Sequence, residues 1–293
     1  MISVKFSSIT ATMPTKWSEL LPDDRKKFVS LCQALDDFEE GRLNFEQMRV
    51  SAVLALLGID FSKLSLDEGY LNENVFRLLP YTDFLYDIQE DNRVYLNSVL
   101  SEQLIPEIGN FQGYRFSVRG GVLDCSLTAE QYVDALSLMK AFTASSDRNV
   151  LKRLCATLYC PGDYDPQKAA TLEIPFKVSE QLAIYYNFRG ILEWIKKLPS
   201  YDLIFRMPDS DETAAAAVSP LGLSGSIFAI AKAGYGDIAS IKQLDLFSYL
   251  GVLVQMTMDS IRSLAAAGIK PVDIADRLHL HIDQVLSVTS QNS

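Results

Sequence analysis

Histidine is nearly absent: two occur in 293 residues, His279 and His281. Any histidine-based acid–base or nucleophilic chemistry would have to use one of them. They lie two apart, so a strand would turn both to the same side, but two ligands do not complete a metal site. Cysteine is also scarce. Cys32, Cys125, Cys155 and Cys160 sit beside apolar residues. Cys155 and Cys160 are five apart, which is neither a Cys-x-x-Cys pair nor half a zinc site. Four buried, reduced thiols are the expectation, not a disulfide framework. Glycine-rich phosphate loops of the Gly-x-x-x-x-Gly-Lys-Ser/Thr or Gly-x-Gly-x-x-Gly kind are missing, and so is a Gly-x-Ser-x-Gly elbow. Ser224, in Gly222-Leu-Ser-Gly225, has one glycine displaced from that elbow. No apolar run reaches the ~20 residues that span a bilayer. The stretch 244–258 is interrupted by Asp245, Ser248 and Gln255. The opening Met1-Ile-Ser-Val-Lys-Phe6 has no continuous apolar segment of the secretory kind. These absences predict a cytoplasmic, non-enzymatic protein with no catalytic residues, cofactor, metal or membrane contact.

Hydrophobic residues make up 48% of the chain and charged residues 22%, a globular composition with enough apolar mass for a sizeable core. The net charge of −10 is uneven: residues 36–91 hold 13 acidic side chains against 4 basic ones. Such a region repels phosphate backbones. It reads as a solvated helix surface or as a docking face for a basic partner.

Periodicity predicts a mostly α, multi-helical fold with a short N-terminal β-hairpin. Ile2, Val4 and Phe6 alternate with polar residues, and Ile9-Thr-Ala-Thr-Met13 is the expected return strand after a turn at Ser7-Ser8. Tyr114-Arg-Phe-Ser-Val118 and Val122-Leu-Asp-Cys125, around Gly120-Gly121, predict a second small hairpin near 114–125. Helical spacing appears in Phe28, Leu31, Cys32 and Leu35, and again over 45–57 until Gly58. Ser65-Leu-Asp-Glu68 has capping-box spacing. Residues 74–87 read as helical, with Pro80 expected to kink or split them. Thr128-Ala-Glu-Gln131 is a second capping box, with Gln131 expected to reach back and with Leu127 and Tyr132 as its hydrophobic staple. Asp147 caps a helix carrying Val150, Leu151, Leu154 and Leu158. Residues 178–198 form an amphipathic helix whose aromatics, Tyr185, Tyr186, Phe188 and Trp194, are the candidate partner-binding face. A helix from Ile227 to Ala233 and one or two long helices over 237–267 follow.

Residues 208–225, with clustered acids, an alanine run, Pro220, Gly222 and Gly225, predict a flexible linker. It would separate a helical body, 1–207, from a C-terminal helical unit, 226–293. Whether the long helix of that unit packs on the body or on another subunit, making a homo-oligomer, stays open. The chain ends in a helix-turn-helix-like pattern: Pro271 at a helix start, Ala275 at a close crossing, and Leu278, Ile282 and Val285 closing a small core. On DNA, 282–288 would be the reading helix, yet it carries no Lys or Arg. Distant residues such as Lys242, Arg262 or Lys270 would have to supply the cations.

Three stretches carry a resemblance. Met13-Pro-Thr-Lys-Trp-Ser-Glu-Leu20 follows a short strand. Leu123-Asp-Cys-Ser-Leu-Thr-Ala-Glu-Gln131 leads through a helix to Leu151-Lys-Arg-Leu-Cys-Ala-Thr-Leu-Tyr-Cys-Pro161. Ala231-Lys-Ala-Gly-Tyr-Gly-Asp-Ile238 leads into Leu244-Asp-Leu-Phe-Ser-Tyr-Leu250. Together they resemble a group of helical phage and prophage proteins implicated in tail assembly. The middle segment of that group ends in Leu-Tyr-Arg-Pro, where this chain has Cys160 in place of the arginine. The last 40 or so residues lie outside the resemblance. It implies a tail assembly chaperone or virion accessory protein whose partners are tape-measure or tail-tube proteins, with nucleic acid as a partner only under the alternative reading of a DNA-binding regulator.

Overall fold

A computed structural model describes residues 1–6, 9–58, 68–90, 93–119, 122–206 and 222–290. The expected turns at Ser7-Ser8 and Gly120-Gly121, the Ser65 cap and positions 208–221 of the expected linker lie outside these residues. The fold is mostly α, with 13 α-helices and four two-stranded antiparallel hairpins among the described residues. β1 (Ile2–Phe6) pairs with β2 (Ile9–Met13) as the predicted hairpin, with Ile2 opposite Met13. A 3-10 turn, Pro22–Asp24, leads into α1 (Arg25–Glu39). α2 (Phe45–Leu57) ends at Gly58, whose φ of 65° is the left-handed conformation that glycine adopts without strain.

The region 74–87 splits at Pro80 as expected, but its end is a strand and not a helix. α3 (Glu68–Leu78) stops before Pro80, a 3-10 segment follows over Leu79–Leu85, and β3 (Tyr86–Ile88) pairs with β4 (Val94–Leu96). Proline removes an amide donor and fixes φ, so the α-helix ends there. β5 (Glu107–Ile108) and β6 (Phe111–Gln112) form a further small hairpin, and β7 (Phe116–Arg119) with β8 (Val122–Cys125) is the predicted one.

α4 (Ala129–Ser145) begins at Thr128, whose side chain accepts the Gln131 amide at 3.2 Å. Gln131 does not reach back. It is buried, and its Nε2 donates to the carbonyl of Thr157 in α5 (Arg148–Leu158) at 2.8 Å. A buried amide gains more from a well-aligned carbonyl than from a solvated cap. α6 (Pro166–Thr171) is capped by Asp165.

α7 (Val178–Lys196) is the central helix. Leu182, Ile184, Tyr186, Phe188, Ile191 and Ile195 are all buried, and it packs on α1 and α5. Asn187, also buried, accepts the Leu104 amide at 2.9 Å and donates to the Glu102 carbonyl at 3.1 Å. Its amide thereby satisfies a loop that would otherwise bury unpaired backbone groups.

After α8 (Asp202–Phe205), α9 (Gly222–Lys232) already includes Gly222 and Gly225, which the sequence places in the linker. Ile227 and Ile230 bury against the core, and α9 packs on α4, so tertiary burial overrides the low helix propensity of glycine. α10 (Ile238–Lys242) and α11 (Leu246–Ala266) follow. The N-caps of α4 and α11 meet in a backbone bridge: Ala129 donates to Leu244 at 2.8 Å and Leu246 to Leu127 at 2.9 Å. The main core therefore continues through Ile241, Leu246, Tyr249 and Leu250. A second, smaller core joins Ile261 of α11 to α12 (Pro271–Leu278) and α13 (Ile282–Ser290).

Asp245 caps α11, accepting the amides of Phe247 and Ser248 at 3.0 Å each and the Ser248 hydroxyl at 2.6 Å. Burial pushes its carboxyl pKa up, but these donors outweigh it and hold the pKa below the ordinary 3.8. A depressed folded-state pKa stabilises above the unfolded value and loses that contribution as pH falls through the folded one. Asp245→Ala is expected to lower stability by about 1–2 kcal/mol at neutral pH, and Asp245→Asn by much less. Urea midpoints measured at neutral pH and in acid check both, because the gap between the wild-type protein and the Asp245→Asn variant should narrow in acid.

Candidate functional site

The predicted partner-binding aromatics are placed inside the protein. Tyr185, Tyr186 and Phe188 are buried, and Trp194 is half-buried. The Tyr185 ring packs edge-on to Phe142 at 4.8 Å, Phe188 to Tyr114 at 6.0 Å and Trp194 to Phe116 at 5.9 Å. The expectation of a docking face is corrected here. At 100° per residue, positions 185, 186, 188 and 194 spread around the helix instead of sharing a stripe, and the side that meets solvent is the one carrying Arg189, Glu193 and Lys196.

Nor do the clustered acids at the end of α1 offer a free negative face. Asp36 is 4% exposed and bonds Arg42 at 2.6 Å and Arg148 at 3.0 Å. Asp37 takes Arg42 at 2.8 Å. Glu39 accepts the Tyr186 hydroxyl at 2.8 Å and pairs with Arg189 at 2.9 Å. Burial and the neighbouring Glu39 carboxylate both push the Tyr186 phenol pKa well above its usual value. Three arginines from α5, α7 and the α1–α2 turn thus neutralise the cluster and tie those elements together.

The helix-turn-helix-like end does form. α12 ends at His279 in the left-handed conformation, φ 53°, and α13 starts three residues later. The two histidines therefore lie in a turn and not on a strand. Among the described residues no group of three His, Cys, Asp or Glu side chains is arranged to hold a metal, and no helix is long and apolar enough to cross a membrane. Ile274, Ala275, Val285 and Val288 bury against Ile261. Gln284 fastens the pair to the body, its Nε2 donating to the Asp202 carbonyl at 2.8 Å, and Asp283 pairs with Arg206 at 3.0 Å. On the outer side of α13, Ile282 and Leu286 are 44% and 47% exposed. They are four residues apart and so share one face. Sequence reasoning assigned Ile282 to the core. The apolar spacing of α13 has two faces, at 285/288 and at 282/286, and only the packing shows which is covered. The cations that a DNA reading would draw on are partly committed: Lys242 pairs with Glu130 at 2.6 Å and Arg262 lies 3.5 Å from Asp259.

A half-open cleft of about 490 Å³ lies between α4, α5 and α6. Asp134, Ser137, Arg153, Thr157 and Tyr164 bring polar groups to it, and Leu138, Ala141, Pro166 and Ala169 line its apolar parts. The Tyr164 hydroxyl donates to Asp134 Oδ2 at 2.6 Å. Burial raises the Asp134 pKa, partly offset by that hydrogen bond. Burial, then the Asp134 carboxylate, raise that of Tyr164. A pocket of this size with a few convergent polar groups is the usual form of a ligand site. No single element of the sequence announces it, because it needs residues from three helices and a loop. No protein-family model matches the chain, and no curated protein or solved structure matches it.

Proposed function

We propose that this chain is a non-enzymatic interaction factor of phage or prophage tail assembly, a chaperone or virion accessory protein that holds a helical segment of a tape-measure-type partner. The observation that carries the reading is the outer face of α13. Ile282 and Leu286 stand exposed on a helix pinned from behind by Val285, Val288 and Gln284. A rigid helix presenting apolar anchors at i and i+4 suits the apolar face of a partner helix. α13 itself carries no cation, and its one acid, Asp283, is paired with Arg206. A face without cations favours an apolar protein segment over a phosphate backbone. The sequence resemblance to tail-assembly proteins supplies the partner class.

Co-expression with the tape-measure and tail-tube proteins of the same phage or prophage tests this. The tape-measure protein is expected to remain in solution and to co-purify with the wild-type chain. The double variant Ile282→Asp, Leu286→Asp should keep its helical spectrum and lose most of the bound partner, a fall of at least about tenfold for two buried anchors. Two results would overturn the proposal: a metabolic operon around the gene in place of tail genes, or a mobility shift of duplex DNA at low salt that the same double variant abolishes.

A further inference from the structure

We infer that the cleft between α4, α5 and α6 binds a small zwitterion with an apolar side chain, of amino-acid to dipeptide size. The cleft holds two opposite charges that do not satisfy one another. Asp134 is half-buried, and its one hydrogen bond in the structure comes from the neutral Tyr164 hydroxyl. No cation lies within ion-pairing distance of it among the described residues; the nearby Lys242 ammonium is held by Glu130. Arg153, exposed to solvent on α5, lines the same cleft and has no carboxylate partner among the described residues. A half-buried carboxylate without a cation is unfavourable and is relieved by an incoming ammonium. An unpaired guanidinium is a ready fork for a carboxylate. A ligand carrying both groups answers both at once. The same cleft is also lined by small or short apolar groups, Ala141, Pro166, Ala169 and Leu138, which suit an aliphatic side chain. Ser137 is not a free donor, since its hydroxyl is spent on the Val133 carbonyl at 2.9 Å. Recognition of the ligand's charged ends therefore falls on Asp134 and Arg153. The cleft is independent of the α13 face, so this inference and the proposed function stand or fall separately.

The test titrates the wild-type protein with alanyl-leucine, with its N-acetyl form and with its C-terminal amide, followed by calorimetry and by amide shifts in NMR spectra. Alanyl-leucine is expected to bind and to move signals from α4, α5 and α6. Each blocked form should bind at least about tenfold more weakly, the usual loss for one charge-assisted contact. Asp134→Asn should remove the preference over the N-acetyl form, and Arg153→Gln the preference over the amide. Absence of binding at millimolar alanyl-leucine would overturn the inference. So would blocked forms that bind as well as the free dipeptide, a result that depends on no variant and hence on no question of folding.

Discussion

Asp36→Ala is expected to cost about 3 kcal/mol of stability, among the largest effects of any polar substitution in the chain. The carboxylate is buried and serves two arginines from different elements, Arg42 at 2.6 Å and Arg148 at 3.0 Å. Its removal leaves Arg148 facing the core end of α1, where one of its terminal nitrogens is already buried without a partner. The Arg148 guanidinium also lies over the Phe142 ring at 5.8 Å, so it cannot swing out to water without giving up that contact. Arg42 is nearly half exposed and can rehydrate, which keeps the cost at the lower end of the range for a broken buried pair. Asp37 is the internal control. It is more exposed and bonds Arg42 but not Arg148, so Asp37→Ala should cost less than about 1 kcal/mol. Urea denaturation of the two variants checks the difference. Equal midpoints would mean that the acidic cluster is surface charge and holds nothing together.

Phe188→Ala is expected to destabilise by about 3–5 kcal/mol, the cost of a large cavity in a packed core. The ring is fully buried in the central helix and meets Tyr114 edge-on, with ring planes at 84°. Phe188→Leu keeps most of the volume and should cost about 1–2 kcal/mol. Trp194, half-buried against Phe116, should give a smaller loss on truncation than Phe188 does. The comparison separates two roles for the aromatics of α7. Core residues lower stability when truncated, whereas partner-contact residues would leave the midpoint unchanged and reduce only binding.

Local signals are legible in the sequence where they decide structure locally. The alternation at Ile2–Phe6, the stop at Gly58 and the Asp147 cap each depend on a few neighbouring residues. Reading failed where a distant element competes. Gln131 leaves its own helix end for a Thr157 carbonyl, and Tyr86 enters a strand because Val94–Leu96 is there to pair with it. The pattern of α7 contains the evidence against a docking stripe, since its four aromatics point in different directions while Arg189, Glu193 and Lys196 share the solvent side. A list of its aromatics conceals that, and an angular plot shows it. The cleft lay beyond sequence reading because Asp134, Arg153 and Tyr164 come from three elements brought together only by packing. Ile282 and Leu286 are legible as an apolar pair, but their exposure is set by the choice of Val285 and Val288 as the inner face.

Hydrogen exchange on the chain alone and in the presence of the tape-measure-type partner gives the most direct test of where, and whether, this protein holds another. The α13 docking face predicts that the amides of Ile282–Ser290, with those of α12 beside them, gain protection on complex formation. The central helix, Val178–Lys196, should be strongly protected in both states and change little. Protection arising over α7 with none over α13 would contradict the proposal and return the docking surface to the aromatics of α7.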